Sequence, residues 1–284
     1  MDVLAHSQYL IGFASPDELK SWSPNVRAAL VDRLVNSPPS GPVWGALVEL
    51  LFHCPVDESI ESIVTKVTPS LRRWDWRVRG LRHNDPILTR DGGAAMALVG
   101  KLVIWDVEDL HGITIRTLCD HPHLDGLRGL QLHKVETFAE HIGTLSRCAS
   151  LSELESLELS KIRLAGGGVA KVFGESRLMK LKNVRLSSAD LDSADLEELV
   201  KNPPSGVIER LNLSGNFINT SDLGILMSAV TFPRLEVLDV SDTFVHSKGL
   251  KDMVANRNLP VLKKIILNST AAAEIFGNEM LLKQ

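Results

Sequence analysis

Leu154-Glu155-Ser156-Leu157-Glu158-Leu159 decides the fold, because its L-x-x-L-x-L frame returns at a fixed interval. The frame opens at Leu127, Leu154, Leu181, Ile208, Leu235 and Leu262 with a step of 27 residues, and further back at Val99 and Leu71 with a step of 28. Val43 fits the same ruler. Self-similarity at such a period marks a stacked repeat architecture, in which each repeat is a supersecondary piece unable to bury its apolar side alone.

The frame opening at Leu181 shows what each repeat contains. Val184 and Leu186 alternate with Asn183, Arg185 and Ser187, so the apolar pair faces one side of a strand and the polar residues face the other. Leu196 and Leu199 follow at helical spacing. The next two frames repeat this with Leu211, Leu213, Ile218, Leu223 and Leu226, then with Leu238, Val240, Val245, Leu250 and Met253. One short strand and one short helix per repeat predict a single core running through the stack.

These residues resemble those of leucine-rich repeat proteins of the ribonuclease-inhibitor-like subtype, and the wording Pro122-His123-Leu124-Asp125-Gly126-Leu127-Arg128-Gly129-Leu130 is similar to a phrase common in bacterial-type members. The resemblance implies an α/β solenoid, a horseshoe with a parallel concave sheet and convex helices, of about 8 repeats of 27–28 residues. It departs from the family pattern at the ninth place of the frame, where the expected Asn stands only at Asn216; Arg79, Val107, Val135, Ile162, Ala189, Thr243 and Thr270 replace it elsewhere. The turns after those strands need other hydrogen bonds.

Taken in order, residues 1–70 read as a helical N-terminal cap, 71–270 as the repeats, and 271–284 as a C-terminal cap helix built on Ala271-Ala272-Ala273-Glu274-Ile275-Phe276. Ser15-Pro16-Asp17-Glu18 and Ser23-Pro24 are helix starts, a Ser cap with Pro in the first turn. After the second, Val26, Ala29, Leu30 and Leu34 fall on one face. Arg33–Gly41 echoes Leu199–Gly206, which suggests a degenerate first strand at Val43–Val48; Trp44, Leu47, Leu50 and Leu51 suggest a capping helix over the same residues. Leu71-Arg72-Arg73-Trp74-Asp75-Trp76 reads as the first full strand, with Trp74 and Trp76 inward. Asp91-Gly92-Gly93 and Gly166-Gly167-Gly168 read as turns, since neither is followed by the Lys-Ser/Thr of a phosphate loop.

Net charge is −4 and the isoelectric point about 6.1, which argues against nucleic acid or an anionic membrane as the main partner. No apolar run approaches the ~20 residues that span a bilayer, and the first residues lack the basic start and apolar stretch of a secretory signal. Three cysteines, Cys54, Cys119 and Cys148, make no paired framework, so the expected compartment is the cytoplasm.

No catalytic constellation emerges, and no cofactor is implied. Cys119-Asp120-His121-Pro122-His123 is the most metal-like cluster, yet it lacks paired C-x-x-C or H-x-x-x-H spacing. It reads as loop residues with a buried free thiol, and no metal is expected. The chain is therefore read as a non-enzymatic adaptor or scaffold. A regulator of a partner enzyme such as a small GTPase, or a substrate-recognition subunit of a degradation or defence system, is the alternative.

The contact surface expected for a protein partner is the outward side of the strands, at places 3, 5 and 7 of each frame. Place 7 is Ser160, Ser187, Ser214 and Ser241 in four successive frames, which reads as structural. Places 3 and 5 of the later frames supply Arg210 and Asn212, Val237 and Asp239, then Lys264 and Ile266. The favoured partner-binding residues are Arg73, Arg77, Lys101, Trp105 and His133, continued by Glu158 and Arg185. Trp and Arg dominate binding energies, and a basic surface around Trp105 suits a partner with an acidic and apolar surface.

Overall fold

The computed structural model describes residues 21–52, 58–82, 93–107, 115–121, 123–135, 144–145, 147–164, 166–173, 178–203, 207–229, 232–246, 258–267, 272–276 and 279–283. They fall into two compact units, one drawn from Met1–Val103 and His121–Gly129, the other from Ile104–Asp120 and Leu130–Gln284. The helix start expected at Ser15 lies outside the described residues.

The first unit opens with α1 (Pro24–Val35), α2 (Gly41–Phe52) and α3 (Glu58–Leu71). Ser23 caps α1: its hydroxyl accepts the Val26 amide at 3.4 Å, and Pro24 begins the helix. The buried face of α1 is Arg27, Val31, Leu34 and Val35, while Val26 and Ala29 point to solvent, so the face is rotated from the expected one. Only contacts with α2 and α3 select which stripe of a weakly amphipathic helix goes inside. Val43–Val48 is helical, which resolves the two readings in favour of the cap helix: α2 buries Val43, Trp44, Ala46, Leu47, Val48, Leu50 and Leu51.

Leu71–Trp76 is not a strand. Ile60, Ile63, Val64, Val67 and Leu71 form the buried stripe of α3, so Leu71 closes a helix where a strand was expected to open. Spacings of three and four residues satisfy a helix as well as the repeat frame does. The chain then tightens through successive turns, with the amides of Arg73, Trp74, Val78 and Arg79 donating to the carbonyls of Ser70, Leu71, Asp75 and Trp76. Trp74 is buried and Trp76 half-buried beside these turns.

The first strand is β1 (Gly80–Arg82), which pairs in parallel with the start of β2 (Lys101–Val107). Leu81 faces Leu102, 21 residues on, so this opening repeat is shorter than the 28 of the ruler. A 3₁₀ turn (Gly93–Leu98) joins the two and packs on α3. The indole nitrogen of buried Trp44 donates to the Gly80 carbonyl at 2.8 Å, which ties α2 to β1, the terminal strand of the sheet. Trp44→Phe is expected to lower unfolding free energy by about 1–2 kcal/mol, the cost of one part-buried carbonyl left unpaired; urea denaturation checks this.

In the second unit the order continues through β3 (Gly129–Val135), β4 (Ser156–Ser160), β5 (Asn183–Arg185), β6 (Arg210–Asn212), β7 (Val237–Asp239) and β8 (Lys264–Ile266). Register repeats without a slip: Leu157, Val184, Leu211, Leu238 and Ile265 stand side by side. Each is 0–2% exposed, as are the frame-opening Leu154, Leu181, Ile208, Leu235 and Leu262. These two ladders are the core.

On the other layer lie α4 (Ile115–Asp120), α5 (Gly168–Phe173), α6 (Ser193–Lys201) and α7 (Thr220–Ser228); α6 packs on both α5 and α7. The helix starts follow the ruler as well. Asp192 with Asp195, and Asn219 with Asp222, 27 residues on, form reciprocal capping boxes. Burial pushes the Asp195 carboxyl above the usual carboxylate range, although the amides of Asp192 and Gly167 donate to it. Gly166 and Gly167 take φ of +76° and +93°, the left-handed backbone that a turn into α5 requires.

The C-terminal segment is not a cap helix. Residues Ala272–Phe276 and Glu279–Lys283 form β9 and β10, an antiparallel hairpin in which β9 pairs with β8 through Ile266↔Ala272 and Lys264↔Glu274. The last parallel strand of a stack offers a row of unpaired amides and carbonyls, and an added hairpin satisfies them where a helix would not. That demand overrides the helix preference of three alanines. Among the described residues no helix is long and apolar enough to cross a membrane.

Candidate functional site: the outer face of strands β4 to β8

Strand alternation sends places 3 and 5 of each frame to the face opposite the helices. In-register pairing then arranges them in two cross-strand rows. One row runs Ser156, Asn183, Arg210, Val237, Lys264; the other runs Glu158, Arg185, Asn212, Asp239, Ile266. All of them except Lys264 line a groove of about 290 Å³, whose floor is the stretch of strand at Leu157, Val184 and Leu211, with those side chains buried in the core behind it.

Much of the second row is satisfied by itself. Gln131 donates to Glu158 at 2.9 Å, and the Arg185 guanidinium lies 3.7 Å from the same carboxylate. Asn212 donates to Asp239 at 2.6 Å. The place-7 serines brace this row from its end. Ser160 donates to Glu158 and meets Ser187 at 2.8 Å; Ser214 and Ser241 donate to Asn212 and Asp239, each at 2.7 Å. Their half-buried to buried hydroxyls thus set the outward side chains two residues before them.

The first row differs. Arg210 is exposed, and its guanidinium has no ion pair or hydrogen bond among the described residues. Lys264 at the far end is half-buried and likewise unpaired, with Val237 between them in the row and Ile266 two residues after Lys264. The groove therefore offers one unpaired cation, Arg210, one held ion pair, the Asp239 carboxylate engaged by Asn212, and two apolar side chains, with Lys264 in the same row but outside the lining.

Of the residues expected to bind a partner, Glu158 and Arg185 line this groove. His133 lies half-buried on β3, and Lys101 half-buried on β2. Trp105 is in β2, but its side chain lies outside the described residues. Arg73 and Arg77 leave the expected surface altogether: both sit in the turns after α3, since no strand forms there. Arg77 stacks on Trp76, 4.8 Å from its ring centre, and pairs with Asp75 at 3.1 Å. The Arg77 amide donating at 2.9 Å, together with its guanidinium, holds the Asp75 carboxyl below its ordinary range.

Arg210, Val237, Lys264 and Ile266 belong to the outward-facing set by alternation alone. What distinguishes them is which neighbours are already paired, and that is decided by register. In the Cys119–His123 segment, Cys119 sits on α4, where its thiol faces Cys148. The hydrogen bond between the two free thiols raises Cys119 and lowers Cys148. No group of three His, Cys, Asp or Glu that could hold a metal occurs among the described residues.

No family model matches the chain, and no curated protein matches it. Among solved structures, an internalin from Listeria monocytogenes is similar at 14% identity with a TM-score of 0.36, over 62% of this chain and 43% of the internalin. The chain thus spans less than half of that protein's length. Eight parallel strands in sequence order, a 27-residue register and helices stacked on one layer make the fold an α/β leucine-rich-repeat solenoid.

Proposed function

We propose that this chain is a non-enzymatic protein-binding module, an adaptor or scaffold, and that the groove on β4–β8 receives a peptide segment of its partner bearing a carboxylate. The observation that carries this reading is Arg210: an exposed guanidinium that lines the groove beside the engaged second row and pairs with no acidic group among the described residues. Arg presents a flat fork of donors that fits a carboxylate in two-point fashion. Val237 and Ile266 supply the apolar contact, and Lys264 a second cation further along the row. Glu158 and Arg185, the pair singled out from sequence, would bound the groove at its other end. Three cysteines that make no paired framework in the sequence suit a reducing, cytoplasmic setting.

The test is to pan the whole chain against a random dodecapeptide phage library and to measure the selected peptides by fluorescence anisotropy. Peptides containing Asp or Glu are expected to be enriched, and Arg210→Glu is expected to weaken them at least tenfold, through loss of the pairing and the new like-charge contact. Unchanged affinity for Arg210→Glu would remove the groove as the site.

A further inference from the structure

Phe217 and Phe244 occupy the tenth place of the frames opening at Ile208 and Leu235, in the turns that lead from strand to helix. They are 58% and 59% exposed, yet their rings are stacked on each other, 6.4 Å between centres and 18° from parallel. The backbone beneath them is well tied. The Phe217 amide donates to the Leu191 carbonyl at 2.9 Å and the Phe244 amide to the Ile218 carbonyl at 2.8 Å, so the turns continue the ladder of the sheet. The residue two before each ring, Gly215 and Asp242, is in the left-handed region at φ +67° and +54°.

The stack does not need aromatic rings here. At the same place of the two preceding frames stand Arg163 and Asp190, both exposed, on the same turn. A single exposed apolar residue is unremarkable, but two phenylalanines on successive repeats, pre-stacked and left in water, form a contiguous apolar patch. Such rings leave more than half of their surface in water, and a partner covering them gains that burial.

The charge around the pair says what that partner carries. The three turns 187–192, 214–219 and 241–246 contain Asp190, Asp192, Asp242 and His246 and no Lys or Arg. Asp192 is used as the cap of α6, accepting the Ala194 and Asp195 amides. Asp190 precedes Phe217 in the row and Asp242 lies two residues before Phe244; both are exposed. Lys161 and Arg163 belong to the turn one repeat beyond Asp190, and Lys248, four residues after Phe244 in the sequence, lies outside the described residues. Two ring faces flanked by carboxylates complement a flat cation: a guanidinium stacks on an aromatic face and pairs with a neighbouring carboxylate at once.

We propose that the Phe217–Phe244 pair, flanked by Asp190 and Asp242, is a second docking point, for an arginine-bearing segment of a partner protein. It stands apart from the groove reading, because the groove uses places 3 and 5 of the frames and this patch uses place 10. Opposite charge preferences at the two sites make them separable.

The same random dodecapeptide library tests it, with the whole chain, the Phe217→Ser/Phe244→Ser variant and the Arg210→Glu variant panned side by side. The wild type and Arg210→Glu are expected to enrich arginine-containing peptides. Synthetic copies are expected to bind Phe217→Ser/Phe244→Ser at least tenfold more weakly and Asp190→Asn/Asp242→Asn several-fold more weakly, with a loss of affinity in high salt. Phe217→Asp/Phe244→Arg is a second variant that installs residue types this turn already accepts at Asp190 and Arg163, and thermal melts by circular dichroism show that each variant folds. No arginine enrichment, or arginine peptides that bind both phenylalanine variants as well as the wild type, would overturn the proposal. Loss of carboxylate-bearing peptides on Arg210→Glu, with arginine peptides unaffected, supports both sites; loss of arginine peptides on Arg210→Glu would place them in the groove and overturn this one.

Discussion

Asn216→Ala is expected to lower the unfolding free energy of the repeat stack by about 3–5 kcal/mol, the sum of several buried polar groups left unpaired. Asn216 is 2% exposed and works as a bracket between repeats. Its carbonyl oxygen accepts the amides of Ala189 and Leu191 from the preceding repeat at 2.9 and 3.1 Å. Its amide nitrogen donates to the carbonyls of Leu186 and Leu213 at 2.7 and 2.8 Å, and more loosely to Ser214 at 3.3 Å. Alanine has neither group, and the site is closed to bulk water. Asn216→Asp is expected to lose at least as much, since a carboxylate faces three carbonyls with no proton to give them. Thr243, at the same place of the next repeat, is the internal control. It bonds the Val240 carbonyl at 2.6 Å and holds the Val245 amide at 3.4 Å, all within its own turn. Thr243→Ala is expected to cost about 1 kcal/mol. Urea denaturation followed by circular dichroism measures all three, and equal losses for Asn216→Ala and Thr243→Ala would remove the bracket role.

Gly100→Ala is expected to destabilise the first unit by about 2–3 kcal/mol, at the upper end of what overpacking costs. A Cβ at this position would lie 2.6 Å from the Trp76 carbonyl oxygen and 2.8 Å from its Cα and Cβ. Those atoms are backbone or bonded to it, so no rotamer change relieves the contact. Retreat is blocked on both sides. The Gly100 amide donates to the Arg79 carbonyl at 2.9 Å, and the Gly100 carbonyl accepts the Arg128 and Gly129 amides at 2.9 and 3.0 Å. Gly129→Ala offers the contrast. Its Cβ would meet the Trp76 ring at 2.5 Å and the Lys101 stem at 3.2 Å, side chains that can swing outward. A smaller loss is expected there, with a shift in tryptophan fluorescence as the ring becomes more exposed. A larger loss for Gly129→Ala than for Gly100→Ala would mean that the ring, and not the backbone, is the tight contact.

Both glycines illustrate what could not be seen in the chain as letters. Gly129 occupies an outward place in its frame, where the sequence shows only a missing side chain. The reason for the vacancy is Trp76, more than fifty residues away by sequence and laid over it by turns that were expected to be a strand. Val43–Val48 and Leu71–Trp76 went wrong or stayed ambiguous for one cause: leucines three and four apart fit the repeat frame and a helix face alike. In the middle of the stack the frame wins because neighbours on both sides hold it to the ruler. At the N-terminal end no repeat precedes it among the described residues, and burial against α1 and α2 decides for helix. At the other end the open edge of β8 decides for a hairpin. Arg73 and Arg77 leave the expected strand face for the same reason, since the strand that would carry them does not form.

The sequence by itself determined the period, the alternation and therefore which side of every repeat from Val99 onward is core and which is surface. That much is local, because a 27-residue interval and a two-residue alternation leave each side chain of a strand only one of two faces. The tertiary structure alone decided how the ends are closed and which surface charges are free. Glu158, Arg185, Asn212 and Asp239 are engaged by partners 27 residues away in the chain or two residues along the same strand, while Arg210 is not. Whether a charge is spent inside the molecule depends on the register of neighbouring repeats, a relation between distant residues that no single stretch of the chain contains.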